Sequence, residues 1–179
     1  MPKTLKRKCF FFDRDGIVNK SPGPGRYVTR WSDFHLNPGF VPCLRRTFEA
    51  GYQAVIVTNQ RCVARGLISI ASLEAIHGRL KLLLRKKYGL KLLDIAYCPH
   101  DNGECNCRKP EPGMLLAMAK KHGLDLGESW MVGDSDTDIE AGRRAGCRTI
   151  LVGRKSVHPG VDCRVSSMRV LARKIGKLI

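Results

Sequence analysis

Two apolar segments that end in carboxylates constrain the fold of this chain more than any other feature. Residues 10–12 are all phenylalanine and lead directly to Asp13 and Asp15, and residues 130–133 lead directly to Asp134. Short apolar runs of this kind are typical of buried strands. Acids that follow such strands lie at the carboxyl edge of an open α/β sheet, where ligands bind. We therefore expect Asp13, Asp15 and Asp134 to share one site.

Short apolar runs alternate with longer amphipathic stretches along most of the chain. This pattern predicts strands over 9–12, 53–58, 94–97, 130–133 and 148–152. It predicts helices over 41–50, over 69–88, from Pro112 to just before Gly123, and over 137–145 with Gly146 as the stop. The basic tail over 154–179 is expected to pack against the domain and to end in a short helix. The order βαβαβαβαβ predicts an α/β fold with a doubly wound parallel sheet.

The length and composition predict a single domain over residues 1–179. The chain has 179 residues, and 43% of them are apolar, which is enough for one substantial core. Only four apolar residues separate the basic N-terminus from Asp13, too few for a signal-peptide core. No segment approaches the ~20 apolar residues of a membrane span. We expect a cytoplasmic, monomeric protein without membrane contact.

The charge balance is strongly basic. Lys and Arg number 32 against 16 Asp and Glu, a formal net charge of +16. This excess favours binding of polyanions, which include phosphorylated metabolites and nucleic acid, although a generally basic surface has the same composition. The basic residues are spread along the chain, and no nucleic-acid recognition motif occurs. We therefore expect a small phosphorylated metabolite as the partner.

Polar groups that suit phosphoryl transfer follow successive predicted strands. A carboxylate nucleophile such as Asp13 is repelled by a phosphate dianion, so the site needs a bound cation, an ammonium and hydrogen-bond donors. A second carboxylate two residues on, Asp15, can supply the proton that the leaving oxygen needs. The remaining candidates at the strand ends are Thr58, Lys109, Asp134 and Asp138.

A cluster of soft ligands precedes Lys109. The chain has eight cysteines, and three of them fall in the pattern C-x-H-x4-C-x-C, formed by Cys98, His100, Cys105 and Cys107. Thiolates and imidazole at this density select Zn²⁺, and four protein ligands leave no position for water, which predicts a structural metal. The spacing departs from C-x2-C pairs, so ordinary thiols in a loop are the alternative interpretation.

Four motifs of this chain resemble those of the haloacid dehalogenase superfamily of phosphatases. They are Asp13-Arg14-Asp15-Gly16, Thr58-Asn59-Gln60, Arg108-Lys109-Pro110 and Gly133-Asp134. More narrowly, the chain resembles the branch that contains heptose 1,7-bisphosphate phosphatases and histidinol-phosphate phosphatases. The resemblance implies a Rossmann-like core without a separate cap domain, together with a zinc-binding loop. Ile17 departs from the threonine that often follows the motif glycine.

The resemblance also implies a role for each motif residue. Asp13 would form an aspartyl-phosphate, and Asp15 would protonate the leaving group and then activate water. Mg²⁺ would be held by Asp13, Asp15 and Asp134, with Asp138 supporting them from outside. Thr58 and Lys109 would bind the phosphoryl oxygens. Substrate contacts would come from Arg14, Asn59, Gln60, Arg65 and Arg108.

The motifs leave more than one substrate open. The segment Ala64-Arg65-Gly66 resembles the heptose bisphosphatase version of its loop. The metal-ligating loop, however, is short, with four residues between His100 and Cys105, and this length resembles the histidinol-phosphate type. We favour the heptose bisphosphate, because a second phosphate needs a second cation such as Arg65. A basic module that binds nucleic acid or removes its terminal phosphates is the alternative from another class.

Overall fold

The structure is a computed structural model that describes residues 6–153 and 158–178. Residues 1–5, which include most of the basic N-terminus, lie outside the described residues. So do residues 154–157 and 179 of the basic tail. The prediction of a single domain over 1–179 therefore extends beyond the part of the chain that the structure describes.

Six strands and five helices make up the described fold. The strands are β1 (Cys9–Phe12), β2 (Gln53–Asn59), β3 (Asp94–Cys98), β4 (Trp130–Gly133), β5 (Arg148–Val152) and β6 (Cys163–Val165). The helices are α1 (Phe40–Glu49), α2 (Ile70–Tyr88), α3 (Gly113–His122), α4 (Asp136–Arg144) and α5 (Met168–Lys174). Short 3-10 turns lie at Trp31–Asp33 and Ile175–Lys177. Three of the five predicted strands have the predicted bounds, and the other two extend one residue further.

The strands form one parallel sheet in the order β3-β2-β1-β4-β5-β6. β1 lies in the centre, where Phe11 is in register with Val55 of β2 and with Met131 of β4. The chain builds the sheet outward from β1 in both directions: β2 and β3 lie on one side, and β4, β5 and β6 lie on the other. The switch point therefore lies between β1 and β4. Open α/β sheets bind ligands at such a switch point. The predicted doubly wound parallel sheet is confirmed.

The two faces of the sheet are covered by different helices. Phe10 and Phe12 point into a core with α1, α2 and α5, whereas Phe11 points into a second core with α3 and α4. Because successive side chains of a strand alternate between faces, a fully apolar β1 is required when both faces are covered. All four residues of β1 are completely buried.

The C-terminal tail contributes more to the fold than its sequence indicated. β6 extends the sheet beyond β5, and α5 packs its apolar residues against the core that contains α1. The contact is close, because a Cβ on Gly39 at the start of α1 would lie 2.3 Å from the backbone nitrogen of Arg169. Residues 163–175 of the tail are therefore part of the domain. Among the described residues, no helix combines the length and the apolar character needed to cross a bilayer.

We predict that Leu171→Ala lowers the free energy of unfolding by about 2–5 kcal/mol, because Leu171 is fully buried in this core and its truncation leaves a cavity. Urea unfolding followed by circular dichroism measures the change. The exposed neighbour Lys174 supplies the control, and Lys174→Ala should change stability by less than about 0.5 kcal/mol. Equal, small effects of both substitutions would show that α5 is not part of the cooperative core.

Candidate active site

The carboxyl edge of the sheet brings the predicted motif residues together. Asp13 directly follows β1, and Asp134 directly follows β4, its neighbour in the sheet. Thr58 lies at the end of β2, on the other side of β1. Lys109 comes from the loop between β3 and α3. Four segments that are distant in the chain therefore converge on one point above β1.

The ammonium of Lys109 is the centre of this arrangement. Its Nζ donates hydrogen bonds to Asp13 Oδ1 at 2.6 Å, to Asp138 Oδ1 at 2.6 Å and to the Val57 carbonyl at 2.9 Å. The residue is only 2% exposed. Burial alone would lower the pKa of Lys109, but the two carboxylates outweigh it and hold that pKa above the ordinary lysine value. Lys109 is therefore a permanent cation at this edge.

Three carboxylates surround a position suited to a divalent cation. Oxygen atoms of Asp13, Asp134 and Asp138 all lie within 4.8 Å of one another. Burial raises the pKa of Asp13, with Asp138 and Asp15 adding to the rise and Lys109 opposing it. Burial also raises the pKa of Asp134 to about 6, and the charge of Asp138 contributes. A bound cation would favour the ionised forms, and oxygen ligands of this kind suit Mg²⁺.

Glycine at position 16 makes room for this cluster. Gly16 has φ = 98°, and a Cβ there would lie 2.0 Å from Asp134 Oδ2. Any larger residue would be strained in this backbone conformation and would also displace the Asp134 carboxylate. The motif glycine is thus explained by the close approach of the β1 loop to Asp134.

The start of α4 fixes Asp138. Asp138 Oδ2 accepts hydrogen bonds from the Ser135 backbone nitrogen at 3.2 Å and from Ser135 Oγ at 2.6 Å. The bond from the Ser135 backbone nitrogen is one half of the capping box at the start of α4, which satisfies free donors of a helix N-terminus. The other oxygen of Asp138, Oδ1, accepts a hydrogen bond from Lys109 Nζ, so Asp138 contacts the central ammonium directly. The sequence predicted a supporting position for Asp138. Its spacing from Ser135 is the signal for the capping contact, whereas no local pattern indicates the contact with Lys109.

The carboxylate of Asp15 lies in a separate hydrogen-bond network. Oδ1 accepts from Asn19 Nδ2 at 2.9 Å, and Oδ2 accepts from Gln60 Nε2 at 3.0 Å. The Arg14 guanidinium donates to both oxygens, with Nη2 2.9 Å from Oδ2. The three carboxylates near Lys109 therefore do not include the Asp15 side chain within the described residues. Asp13 and Asp15, one residue apart, have different partners.

Two residues predicted to contact substrate instead lie inside the protein. Arg14 is fully buried, and besides Asp15 it contacts His77 of α2, whose Nε2 is 3.2 Å from Arg14 Nη1. Gln60 is also fully buried, and its Nε2 bridges Asp15 and Thr58 Oγ1, the latter at 2.9 Å. No sequence pattern pairs Arg14 with His77, because 63 residues separate them.

Asn59 positions Lys109 rather than projecting freely. Its Nδ2 donates to the Lys109 carbonyl at 3.0 Å, and its Oδ1 accepts from the Lys109 backbone nitrogen at 3.0 Å. Both ends of the amide are thus used to hold the Lys109 backbone beside β2. Asn59 and Lys109 also line a cavity of about 540 Å³. The other residues that line this cavity include Asn102, Arg108, Glu111 and Thr137.

The four predicted ligands of the metal-ligating loop lie close together. Cys98 Sγ lies 3.6 Å from His100 Nδ1 and 3.5 Å from Cys105 Sγ, and Cys107 Sγ lies 3.4 Å and 3.0 Å from the same two atoms. Ligands bound to one tetrahedral Zn²⁺ are separated by roughly 3.5–3.8 Å. The donor set fits Zn²⁺, and all four ligand atoms lie within 4.8 Å of one another, close enough to share one ion after the short Cys105–Cys107 contact widens.

Two of the predicted substrate contacts lie near the metal-ligating loop. Arg108 Nε donates to Asn102 Oδ1 at 2.8 Å at the rim of the cavity. Arg65 is exposed, and its charge acts on Asp101 of the same loop. Arg61 forms an ion pair with Asp101 and lowers the pKa of that carboxyl. Arg108 therefore lines the cavity beside Lys109, whereas Arg61 and Arg65 lie near Asp101 of the same loop.

Comparison with known proteins agrees with this geometry. A family model described as HAD-hydrolase-like matches residues 106–161. The D-glycero-beta-D-manno-heptose-1,7-bisphosphate 7-phosphatase of Pseudomonas aeruginosa is 39% identical over 150 residues, which cover 83% of this chain and 82% of the relative. This chain belongs to the same family of haloacid dehalogenase-like phosphatases. The corresponding enzyme of Thermosynechococcus vestitus is 39% identical over 159 residues, covering 83% of this chain and 80% of the relative.

A solved structure of the heptose bisphosphatase family has the same fold. It is D,D-heptose 1,7-bisphosphate phosphatase from B. bronchiseptica, complexed with magnesium and phosphate. It superposes on this chain with a TM-score of 0.86 at 32% identity. The match covers 96% of this chain and 99% of the solved chain. The predicted superfamily and its branch are confirmed, and this phosphatase chain spans nearly the whole length of its relative.

The four-ligand loop of this phosphatase predicts about one Zn²⁺ per chain, retained through mild chelation. Cys105→Ser should remove the zinc and lower the melting temperature, because the loop then loses its cross-link. Cys163→Ser is the matched control, since Cys163 is another thiol of intermediate burial and lies in β6. Elemental analysis and thermal unfolding provide the measurements. Zinc-free wild-type protein from a preparation without chelator would contradict the assignment.

Proposed function

We propose that this chain is a Mg²⁺-dependent phosphatase that removes the 7-phosphate of D-glycero-D-manno-heptose 1,7-bisphosphate. The single observation that carries the chemistry is the buried Lys109 ammonium, 2.6 Å from both Asp13 and Asp138, beside the Asp134 carboxylate. A nucleophilic carboxylate, a fixed cation and a set of metal-binding oxygens are thereby placed together. The relatives that cover most of the chain support the substrate.

The carboxylates of Asp13 and Asp134 are proposed to hold Mg²⁺, and Asp138 supports them through Lys109. The Asp15 carboxylate binds Arg14, Asn19 and Gln60, and its role as a further Mg²⁺ ligand stays a prediction. When bound, Mg²⁺ neutralises charge on the phosphoryl oxygens and orients the group for in-line attack. The closely spaced carboxylates of the site fit this cation.

Asp13 and Asp15 are proposed to divide the reaction between them. An Asp13 oxygen attacks phosphorus, and the bond from phosphorus to the sugar oxygen breaks while Asp15 gives that oxygen a proton. Water then attacks the aspartyl-phosphate, and Asp15 takes its proton as phosphate leaves Asp13. Thr58 and Lys109 hold the phosphoryl oxygens during both steps. The different partners of the two carboxylates support this division.

We assign Arg65 and Arg108 to the second phosphate of the substrate. Arg108 lines the cavity beside Lys109, and the exposed Arg65 lies near Asp101 of the metal-ligating loop, so both are available to a phosphate that is not transferred. Histidinol phosphate, which carries one phosphate, is the second candidate, favoured by the four-residue spacing between His100 and Cys105. Arg14, Asn59 and Gln60 are assigned to support the reacting groups, since their polar atoms bind Asp15, Lys109 and Thr58.

The enzyme is proposed to act as a monomer in the cytoplasm on this small phosphorylated metabolite, without binding nucleic acid. The spread of its basic residues along the chain supports the last point. Light scattering on the purified protein and an electrophoretic shift assay at moderate salt test the two expectations. A stable dimer, or a salt-sensitive complex with DNA, would contradict them.

We predict that Asp13→Asn abolishes phosphate release while the protein remains folded, because the nucleophile is lost and the side chain keeps its shape. Asp15→Asn should reduce turnover by roughly a hundredfold or more, the usual loss for a general acid or base. Phosphate release and thermal unfolding are measured for both variants. Glu128→Gln removes an exposed acid that precedes β4 and serves as the control. Substantial turnover by Asp13→Asn would exclude Asp13 as the nucleophile.

We predict that Arg65→Ala lowers kcat/KM on heptose 1,7-bisphosphate by about ten- to a hundredfold, since a charge-assisted hydrogen bond contributes about 1.5–3 kcal/mol. The contact is made in the ground state and the transition state alike, so KM should rise more than kcat falls. Histidinol phosphate and other monophosphates should be almost unaffected.

The exposed Arg173 of α5 provides the matched control for the loss of one surface charge. Arg173→Ala should leave the kinetics on both substrates unchanged. Equal losses on the bisphosphate and the monophosphate in Arg65→Ala, or no loss on either, would remove the argument for Arg65 as the contact to a second phosphate.

A further inference from the structure

A completely buried arginine lies directly behind the Asp15 carboxylate. The Arg14 guanidinium has no solvent exposure, and it donates to Asp15 from Nε at 3.3 Å and from Nη2 at 2.9 Å and 3.2 Å. Burial of a charged group is costly unless the group is paired in good geometry. Arg14 is thus a buried cation whose planar guanidinium donates several hydrogen bonds to the Asp15 carboxylate, and such a contact restricts the orientation of that carboxylate.

The far side of the guanidinium is closed by His77 of α2. Its Nε2 lies 3.2 Å from Arg14 Nη1, and the residue is only 5% exposed. Burial, together with the charge of Arg14, lowers the pKa of His77 to about 3, so the imidazole is neutral near pH 7. Nε2 must then accept the hydrogen bond from Arg14, and Nδ1 carries the proton. His77 thereby fixes the position of the guanidinium.

Two further buried side chains complete the support around Asp15. Asn19 donates to Oδ1 at 2.9 Å, Gln60 donates to Oδ2 at 3.0 Å, and neither residue is exposed. The Asp15 side chain itself remains 24% exposed. Buried donors thus hold a carboxylate that is still partly accessible.

We propose that Arg14, held by His77, is a positioning residue that fixes the Asp15 carboxylate for proton transfer to the leaving oxygen. This inference rests on the role of Asp15 in the proposed function. Its physical basis is that proton transfer depends steeply on the placement of the acid, and a small misplacement can cost about a hundredfold in rate. It also explains why an arginine between the two aspartates points inward rather than toward a substrate.

The test compares substrates whose leaving groups differ in their need for a proton. A sugar oxygen leaves poorly without one, whereas 4-nitrophenolate leaves without protonation. The value of kcat/KM reports the steps up to formation of the aspartyl-phosphate. Loss of Asp15 positioning should therefore lower kcat/KM on heptose bisphosphate far more than on 4-nitrophenyl phosphate. Loss of folding or of metal binding would lower both alike.

Arg14→Lys, which keeps the charge but loses the fork, and His77→Leu, which loses the acceptor, are expected to lose about a hundredfold on the sugar phosphate. Both should stay within about threefold of wild type on 4-nitrophenyl phosphate, where protonation is not required. His77→Gln, which restores an acceptor, should recover most of the loss of His77→Leu. Arg79→Lys, an exposed change on the same helix, should match wild type on both substrates.

Each outcome decides the inference. Equal losses on the two substrates, or no recovery in His77→Gln relative to His77→Leu, would reduce Arg14 and His77 to a structural role. If Arg14→Lys does not fold, the paired His77 variants decide. Asp15→Asn, measured in parallel, separates the two levels: a loss that does not depend on the leaving group would remove the proton-transfer role of Asp15, and the inference with it.

Discussion

The rest of the site depends on one buried ion triad, in which Lys109 binds Asp13 and Asp138. Its ammonium also binds the Val57 carbonyl of β2, so a single group joins the ends of β1, β2 and α4. A lysine at this depth is stable only because both carboxylates neutralise it, and the carboxylates tolerate their proximity only because a cation lies between them. Asn59 holds the backbone of Lys109 from the end of β2, which places the triad on the rigid sheet.

Two buried cations separate the roles of two aspartates that are almost adjacent in sequence. Lys109 binds Asp13 beside the metal-binding carboxylates, and Arg14 binds Asp15 on the opposite side. β1 ends at Phe12 and the chain turns after Asp13, so each carboxylate meets its own set of donors. Separate environments of this kind allow one carboxylate to act as a nucleophile and the other to transfer protons.

The metal-ligating loop extends this rigidity to the substrate approach. Cys98 ends β3, and Cys107 directly precedes Arg108 and Lys109, so a metal held by this loop would fix the segment that delivers both cations. A cavity beside Lys109 is lined from the same loop. The chemistry at the sheet edge and the recognition of the rest of the substrate are thereby coupled through a few residues.

The order of the first five strands and the helices between them, the motif residues at the strand ends and the four ligands of the loop follow from the sequence alone. These features are local, because periodicity reports burial within one element and spacing reports ligands within one loop. Three other features depend on packing between distant segments. β6 has only three residues, too few for a periodic signal, and it forms because β5 offers a free edge. Asp138 reaches Lys109 because α4 docks beside β4. Arg14 turns inward because α2 packs His77 against it, and no local pattern records a contact across 63 residues.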